Sequence, residues 1–393
     1  MTSQAAPTIE TGQVSYWVVA AMAAVLSVGL VSTSANGTRP MVADLSELQT
    51  GEEIYSAACA GCHGSDGTGV SPSRLGFDTP PPDLSDCSFG PREANFDWIA
   101  IAHEGGPVRA FSRFMPAFGE ALSVGQITSA VNHIRSFCTD RSWPRGEFNL
   151  PRALFTTKAF PEDEVVLAAT IAAQGRGRVE IEGIVEKRIG PRGQIEFVLP
   201  LGWTEASSAD NTGNDEWRSA VGDLVVAYKH VLSDDLDSGT MISANAEVIV
   251  PTGSEDAGLS SGTVIFEPQL LWAQLLPENF FLQGQVGAGL PLDTDNAQEE
   301  GFARLALGRT FNENRWGRAW SPMVELLSSY EFADGEKVQF DLAPQMQVTL
   351  SGRQHVRMNV GARIPLTDAD ERPTTVGVYF LWDFFDGAFL EGW

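Results

Sequence analysis

The pentapeptide Cys59-Ala60-Gly61-Cys62-His63 decides how the N-terminal part of the chain folds. Two thiols separated by two residues and followed by histidine have the spacing that attaches a c-type haem, through two thioether bonds and one histidine ligand to the iron. A thioredoxin-like pair would follow a strand of a βαβ pattern, which this stretch lacks, and a zinc site would need a second pair of ligands. We therefore expect one covalent haem c on Cys59 and Cys62, with His63 as the proximal iron ligand.

The composition limits the partners of the chain. Its 393 residues suggest two or three structural units, and 51 acidic against 26 basic residues give a formal net charge of −25. No nucleic acid is expected as a partner, because binding to phosphate needs an excess of Lys and Arg. The remaining two cysteines, Cys87 and Cys138, are disulfide candidates in an oxidising compartment. Two buried free thiols are the alternative.

The first segment is apolar. From Thr11 to Thr38 there is no charge, and the apolar core Tyr16 to Val31 is shorter than the roughly 20 residues of a spanning helix. Residues 1–35 are therefore predicted to be a signal peptide. Because no Lys or Arg precedes this core, an uncleaved membrane anchor stays open. Either form exports the chain, and bacteria attach haem to this motif outside the cytoplasm.

Residues 44–142 are predicted to form a helical haem domain. A helix from Leu48 leads into the haem motif, and a capping box at Ser123 opens a closing helix with an apolar stripe. The closing helix is expected to cross the first one at Gly51, where no side chain separates the backbones. With the turn Asp66-Gly67-Thr68-Gly69 and the stretch Met115-Pro116-Ala117-Phe118-Gly119, the segment resembles class I cytochrome c. The resemblance implies an all-α fold around one haem.

Met115 is the candidate distal ligand. It is the only methionine between the haem motif and the C-terminal portion, and it lies in a loop directly before Pro116. A methionine packed against the haem ring is the alternative role. His103 and His133 are rival ligands, both expected to face solvent. A His/Met pair closes both axial positions of the iron, which suits electron transfer rather than activation of a substrate.

Two further features are open to more than one interpretation. The carbonyl of Pro72 or of one of Pro80–Pro82 could accept a hydrogen bond from the second nitrogen of His63. These prolines could equally well only stiffen the loop. Arg109 and Arg113 are candidates to pair with haem propionates, and solvated arginines are the alternative.

After residue 142 the pattern changes. Residues 143–161 combine Pro and Gly at spacings that prevent long elements, and they are predicted to be a linker. Residues 162–393 are predicted to form an antiparallel transmembrane β-barrel. Val338 to Leu350 alternates apolar and mostly polar residues over thirteen positions, which is longer than a typical strand of a soluble sandwich. Segments of about ten alternating residues separated by turns are typical of outer-membrane barrels, with a soluble β-domain as the alternative.

About twelve strands are expected. Short connections, such as Pro277 to Asn279, alternate with longer acidic ones, such as Thr252 to Gly262. Because short turns of such barrels face the periplasm, the haem domain is expected on the periplasmic side. The final residue, Trp393, partly resembles the C-terminal insertion signal of barrel proteins. Candidate strands begin near Val165, Arg178, Gln194, Trp217, Met241, Val264, Phe280, Phe302, Met323, Val338, His355 and Thr375.

Two resemblances bear on the second half and on the whole chain. The strand ends Val250-Pro251-Thr252, Leu290-Pro291-Leu292 and Ile364-Pro365-Leu366 resemble outer-membrane proteins of hydrocarbon pathways. The overall plan resembles the fused cytochrome–porins of iron-oxidising bacteria, although those barrels are larger and their haem segments shorter.

The sequence therefore favours a non-enzymatic, monohaem electron-transfer protein of the bacterial outer membrane. Its expected partners are periplasmic electron carriers, either other cytochromes or cupredoxins, together with outer-membrane lipid. One alternative is an oxidase of extracellular Fe(II). Another is a pore for small solutes with a haem sensor or docking module.

Overall fold

The computed structural model describes residues 47–77, 79–174, 177–206 and 216–383. The predicted signal peptide and Trp393 lie outside these ranges. None of the helices within them has the length and apolar character needed to cross a bilayer.

Short helices form the N-terminal domain. Helix α1 (Gly51–Ile54) continues through a π-helical turn (Tyr55–Cys59) into α2 (Ala60–His63). Three more helices follow: α3 (Pro72–Leu75), α4 (Asn95–Glu104) and α5 (Val124–Arg135). Single 3₁₀ turns occupy Gly90–Arg92, Gly106–Arg109 and Gly146–Phe148.

The first and last helices of this domain meet at Gly51, as the sequence predicts. A Cβ atom at Gly51 would lie 2.1 Å from the carbonyl oxygen of Ser129 in α5, so only glycine fits this crossing. The predicted capping box opens α5: the Ser123 hydroxyl accepts from the Gln126 amide, and the Gln126 side chain accepts from the Ser123 amide. Cys87 and Cys138 are joined by a disulfide, which ties the end of this domain to its middle.

Strands of the second half close into a barrel. The bounds are β1 Glu164–Ala172, β2 Arg178–Ile189, β3 Gly193–Ala206, β4 Glu216–Val221, β5 Leu224–Asp235, β6 Thr240–Val250, β7 Ile265–Leu275, β8 Phe280–Pro291, β9 Glu300–Arg309, β10 Phe311–Asn312, β11 Ala319–Glu331, β12 Gln339–Thr349, β13 Val356–Pro365 and β14 Thr375–Asp383.

The described residues contain 14 strands, which together form a barrel wall of twelve strand positions. Both β4 and β5 pair with β3, and both β9 and β10 pair with β11, so each of these two pairs is one interrupted strand. The wall closes where β1 pairs antiparallel with β14, from Glu164 opposite Asp383 to Ala172 opposite Thr375. The twelve predicted strands and the antiparallel closed barrel are confirmed.

The outer surface of the wall is apolar. Along β1, Leu167 and Ile171 point outward, whereas Glu164 and Val166, which precede them, are buried. The same alternation continues in the other strands, with outward Phe197, Leu270 and Leu305. Exposed apolar side chains around a closed ring match a hydrocarbon environment, where every backbone polar group must be paired internally.

The segment predicted as a linker lies inside this barrel. Phe148, Leu150 and Phe160 are buried with Ala153 and Ala159 in one cluster. Wall residues complete the cluster: Val231, Met241, Leu271, Ala273, Phe281, Ala306 and Met323. We call residues 148–160 the lumen segment. It is not an exposed tether, because its apolar side chains are removed from water by the inner wall.

Hydrogen bonds from the inner wall fix the backbone of the lumen segment. Glu325 of β11 accepts from the amides of Phe155, at 3.1 Å, and Thr156, at 2.7 Å. Side chains of other strands donate to carbonyl oxygens of the segment: Gln283 to Pro151, Tyr379 and Asn359 to Arg152, Arg304 to Phe155, and Ser243 to Ala159. In the other direction, the amides of Leu154 and Thr157 donate to the side-chain oxygens of Gln345 and Gln285.

Ion pairs also attach the lumen segment to the barrel. Arg152 lies between Glu164 of β1 and Glu186 of β2, with N–O distances of 2.8 Å and 2.7 Å. Lys158 pairs with Glu162 at the start of the wall. Beyond the tip of the segment, a cavity of about 920 Å³ opens toward the longer loops, and Phe155 forms part of its lining.

The helical domain lies at the end of the barrel that carries the short turns. Arg92 pairs with Asp163, directly before β1. Arg109 donates to the carbonyl oxygen of Trp316, in the turn between β10 and β11, at 2.7 Å. The Trp316 ring packs on α4, 5.2 Å from Phe96 between ring centroids.

Candidate functional site

Cysteines 59 and 62 and His63 are presented by the helical run that ends at Gly64. Both cysteines have free thiols and are partly buried. Gly64 has φ +77°, which ends the helix directly after His63, and its carbonyl accepts a hydrogen bond from the Tyr55 hydroxyl at 2.6 Å. The π-helical turn and α2 together therefore present two thiols and an imidazole within one short, anchored stretch.

The His63 ring is suited to an iron ligand. Its Nδ1 atom is buried without a hydrogen-bond partner, so neither Pro72 nor any of Pro80–Pro82 accepts a hydrogen bond from it. Burial lowers the pKa of His63, which keeps the ring neutral and leaves a nitrogen lone pair for a metal. An orphaned nitrogen on a neutral ring beside two free thiols fits a haem attached by this motif.

The Cys59 thiol is protonated at neutral pH. Burial and, to a smaller extent, the neighbouring Cys62 raise its pKa to about 11. Neither Cys59 nor Cys62 is in a disulfide, so both sulfur atoms are available to form thioether bonds. The residues present therefore fit haem attachment.

Two glycines position the Met115 loop. The Gly106 amide donates to the Met115 carbonyl at 3.0 Å, and a Cβ atom at Gly106 would lie 2.2 Å from the Ser112 carbonyl oxygen. At Gly105, φ is +85° and a Cβ atom would lie 3.0 Å from the Met115 carbonyl oxygen. The loop can therefore approach helix α4 only because both positions are glycine. The sequence shows this pair directly after His103-Glu104, but without the fold it gives no sign of what the pair packs against.

The Met115 loop and the haem motif share one apolar cluster. Phe118, three residues after Met115, and Ala58, the residue before Cys59, pack against the same buried cluster. Ile99 and Ala102 of helix α4 pack against it as well. Met115 therefore belongs to the same structural unit as the three residues of the motif.

Both rival histidines are only partly exposed, although both were expected to face solvent. The His103 ring packs on Trp316, with 5.5 Å between ring centroids, and its Nδ1 lies 2.7 Å from Glu104 Oε1. The His133 ring packs between Tyr55 and Phe137, at 5.5 Å and 5.1 Å. Both rings have packing partners of their own in the helical domain and at its contact with the barrel.

Arg109 and Arg113, the two candidates to pair with haem propionates, differ in their exposure. Arg109 is 2% exposed, and its Nε donates to Asp97 at 2.7 Å while its Nη1 donates to Trp316. It therefore joins the helical domain to the barrel, a role that the sequence does not reveal because Trp316 is about 200 residues away. Arg113 is exposed, with its guanidinium 5.8 Å from the centre of the Phe114 ring.

Comparisons with known proteins match the two halves separately. Residues 46–134 match the family model of subunit III of cbb3-type cytochrome c oxidase. Residues 180–362 match the family named for the MetA pathway of phenol degradation. No curated protein matches the chain.

Solved structures similar to the chain include outer-membrane barrels. An outer membrane channel from Pseudomonas putida F1 is 13% identical with a TM-score of 0.44, over 60% of this chain and 100% of the channel. The KdgM porin is 8% identical with a TM-score of 0.37, over 56% of this chain and 99% of the porin. The chain thus joins an N-terminal domain that matches the model of subunit III of cbb3-type cytochrome c oxidase to a closed, antiparallel β-barrel of twelve strand positions.

Proposed function

We propose that the chain is a monohaem electron carrier anchored in the bacterial outer membrane. Cys59 and Cys62 would hold one haem through thioether bonds, and His63 and Met115 would be the ligands of its iron. When bound, this group supplies reversible one-electron chemistry with no open coordination position. The chain's own residues orient the group, exclude water from it and fix its place against the barrel.

The lumen segment inside the barrel is the observation that carries this proposal. A free pore would leave the inner wall to water, whereas here strands around the wall bind the lumen segment. The same segment leads directly from the helical domain into β1. The barrel is therefore best explained as an anchor that holds the cytochrome-like domain at one end.

The side of the membrane follows from the turns. The helical domain contacts the short-turn end through Arg92 and Arg109. Because barrel proteins of this kind turn their short connections toward the periplasm, we place the haem there. Its partners would be periplasmic carriers, cytochromes or cupredoxins.

Oxidation of extracellular Fe(II) is not favoured by this arrangement. An electron donor at the long loops would be separated from the haem domain by a lumen segment and a hydrocarbon layer about 30 Å thick. A solute pore is likewise disfavoured while the lumen segment is in place.

Access to the haem in intact cells tests the proposal. Cells carrying the reduced protein are mixed with an oxidising redox protein too large to cross the outer membrane, and the haem absorbance is followed. We expect oxidation only after the outer membrane is permeabilised. Rapid oxidation in intact cells would place the haem at the surface, and a protein that exchanges electrons with no carrier would contradict electron transfer altogether.

A further inference from the structure

The loop that carries Met115 ends against the last turn of helix α4. The Phe118 amide donates to the Ala102 carbonyl at 3.0 Å, and the Gly119 amide donates to the His103 carbonyl at 2.9 Å. A Cβ atom at Gly119 would lie 2.4 Å from Cε1 of the His103 ring, so the ring lies directly against the backbone of the loop. The path of the chain after Met115 therefore depends on where the His103 ring is held.

A side chain of the barrel packs on this ring. Trp316, in the turn between β10 and β11, lies 5.5 Å from the His103 ring and 5.2 Å from the Phe96 ring, measured between ring centroids. The Trp316 indole nitrogen is buried and has no hydrogen-bond partner among the described residues, so the contact is one of packing. Trp316 therefore supports the end of the Met115 loop through the His103 ring.

The backbone of Trp316 holds the segment before Met115. Arg109 is almost fully buried, and it donates to the Trp316 carbonyl through Nη1 and to Asp97 of α4 through Nε, both at 2.7 Å. Arg109 ends the 3₁₀ turn that begins at Gly106, whose amide binds the Met115 carbonyl. One barrel residue is thus connected to the loop both before and after the methionine.

A second barrel turn reaches the same loop. Arg353, between β12 and β13, donates to the Ala110 carbonyl at 3.5 Å, and its guanidinium lies 5.0 Å from the centre of the Phe111 ring. The two turns are joined to each other, because the Gln354 side chain donates to the Gly317 carbonyl at 3.3 Å. Together they form one support, which the barrel supplies to the helical domain.

We propose that Trp316 is a positioning residue for the distal iron ligand, and that the barrel turns keep the Met115 loop closed on the haem. The inference rests on the proposed function, in which Met115 is that ligand. It gives the barrel a role beyond anchoring, because the loop is fully supported only when the helical domain lies on a folded barrel. The iron is then saturated, and suited to electron transfer, in the assembled protein.

Cyanide binding to the full-length, haem-loaded chain in uncharged detergent tests the support. Cyanide reaches the ferric iron only when the methionine has left it, so the binding rate measures how often the loop opens. Trp316→Ala removes both ring contacts and should raise this rate on the order of tenfold. Trp316→Phe keeps an aromatic ring and breaks no hydrogen bond of the indole, so its rate should stay near that of the wild type.

Trp320→Ala is the matched control. Trp320 lies four residues further along the chain, in β11, and its indole nitrogen donates to Glu313 of the barrel at 2.9 Å. Its removal should leave the rate unchanged. A wild-type rate in Trp316→Ala, or equal acceleration in Trp316→Phe or Trp320→Ala, would overturn the proposal. A wild-type protein without the ferric methionine-to-iron charge-transfer band would instead contradict the proposed function.

A milder variant tests the second turn if Trp316→Ala does not fold. Arg353→Ala leaves the Trp316 ring in place and should raise the cyanide rate roughly two- to fivefold, the effect of one exposed cation–π contact. Arg309→Ala removes an arginine that binds Glu278 in the turn between β7 and β8, and it should leave the rate unchanged. Equal rates in these two variants would overturn the support by the barrel turns.

Discussion

Removing the Glu325 carboxylate should open the barrel. Glu325 accepts from the Phe155 amide at 3.1 Å, from the Thr156 amide at 2.7 Å and from the Thr156 hydroxyl at 2.5 Å. Hydrogen bonds to a charged group contribute about 1.5–3 kcal/mol each, and water entering the lumen would replace part of this. Glu325→Ala should therefore weaken the attachment of the lumen segment by about 3 kcal/mol. This shifts the equilibrium between the attached and the released segment roughly a hundredfold toward release.

Planar-bilayer recordings measure this change as the fraction of time a single barrel conducts. The wild-type protein should conduct only in rare openings, and Glu325→Ala should raise the open fraction roughly a hundredfold. Thr156→Ala, which removes one of the three bonds, should raise it about tenfold. Glu331→Ala, at the exposed end of the same strand, is the control and should change nothing. A wild-type barrel that conducts steadily, or a Glu325→Ala protein identical to the control, would refute the reasoning.

Three further changes test the helical domain. Met115→His should abolish the ferric methionine-to-iron charge-transfer band, and persistence of the band would refute the ligand. Replacing Cys87 and Cys138 by serine opens a loop with a sequence separation of 51 residues and should lower the stability of the domain by about 4 kcal/mol, as measured by denaturant titration of the haem absorbance. Gly51→Ala should cost about 2–3 kcal/mol because of its close helix contact, whereas Gly125→Ala, whose nearest neighbouring atom is 4.0 Å away, should be neutral or stabilising by up to about 1 kcal/mol. Equal stabilities of the two glycine variants would contradict the helix crossing.

The order of residues along the chain was sufficient to predict the wall of the barrel and the contact between α1 and α5. Alternation of period two placed the twelve strands because each inward residue faces the lumen and each outward residue faces lipid, as Leu167 and Val166 show. The absence of a side chain at Gly51 indicated the crossing of α1 and α5. The interruptions between β4 and β5 and between β9 and β10 were not predicted, because they leave the alternation on either side intact.

The lumen segment was missed because its partners are remote in sequence. Leu154 bonds to a side chain 191 residues away, and Arg152 accepts at its carbonyl from one 227 residues away. Proline and glycine spacing describes only the local backbone, so it cannot distinguish an exposed linker from a segment held by surrounding walls. The apolar residues Phe148, Leu150 and Phe160 were the signal in the sequence that an exposed linker would not need.

The candidate haem ligands were predicted from the sequence alone, whereas the contacts that support them could be seen only in the fold. The pairing of Gly106 with Ser112 and Met115, and that of Tyr55 with Gly64, depends on how the loops pack. Arg109 was considered as a propionate partner, and the structure assigns it to Asp97 and Trp316 instead.

Fractionation of cells that mature c-type cytochromes tests the central claim most directly. Membranes are separated, proteins are run in denaturing gels with and without heating, and haem is stained in the gel. We predict a haem-stained band in the outer-membrane fraction that survives denaturation and shifts in mobility on heating, as a folded barrel does. A colourless protein, or a haem band confined to the soluble fraction, would contradict the account.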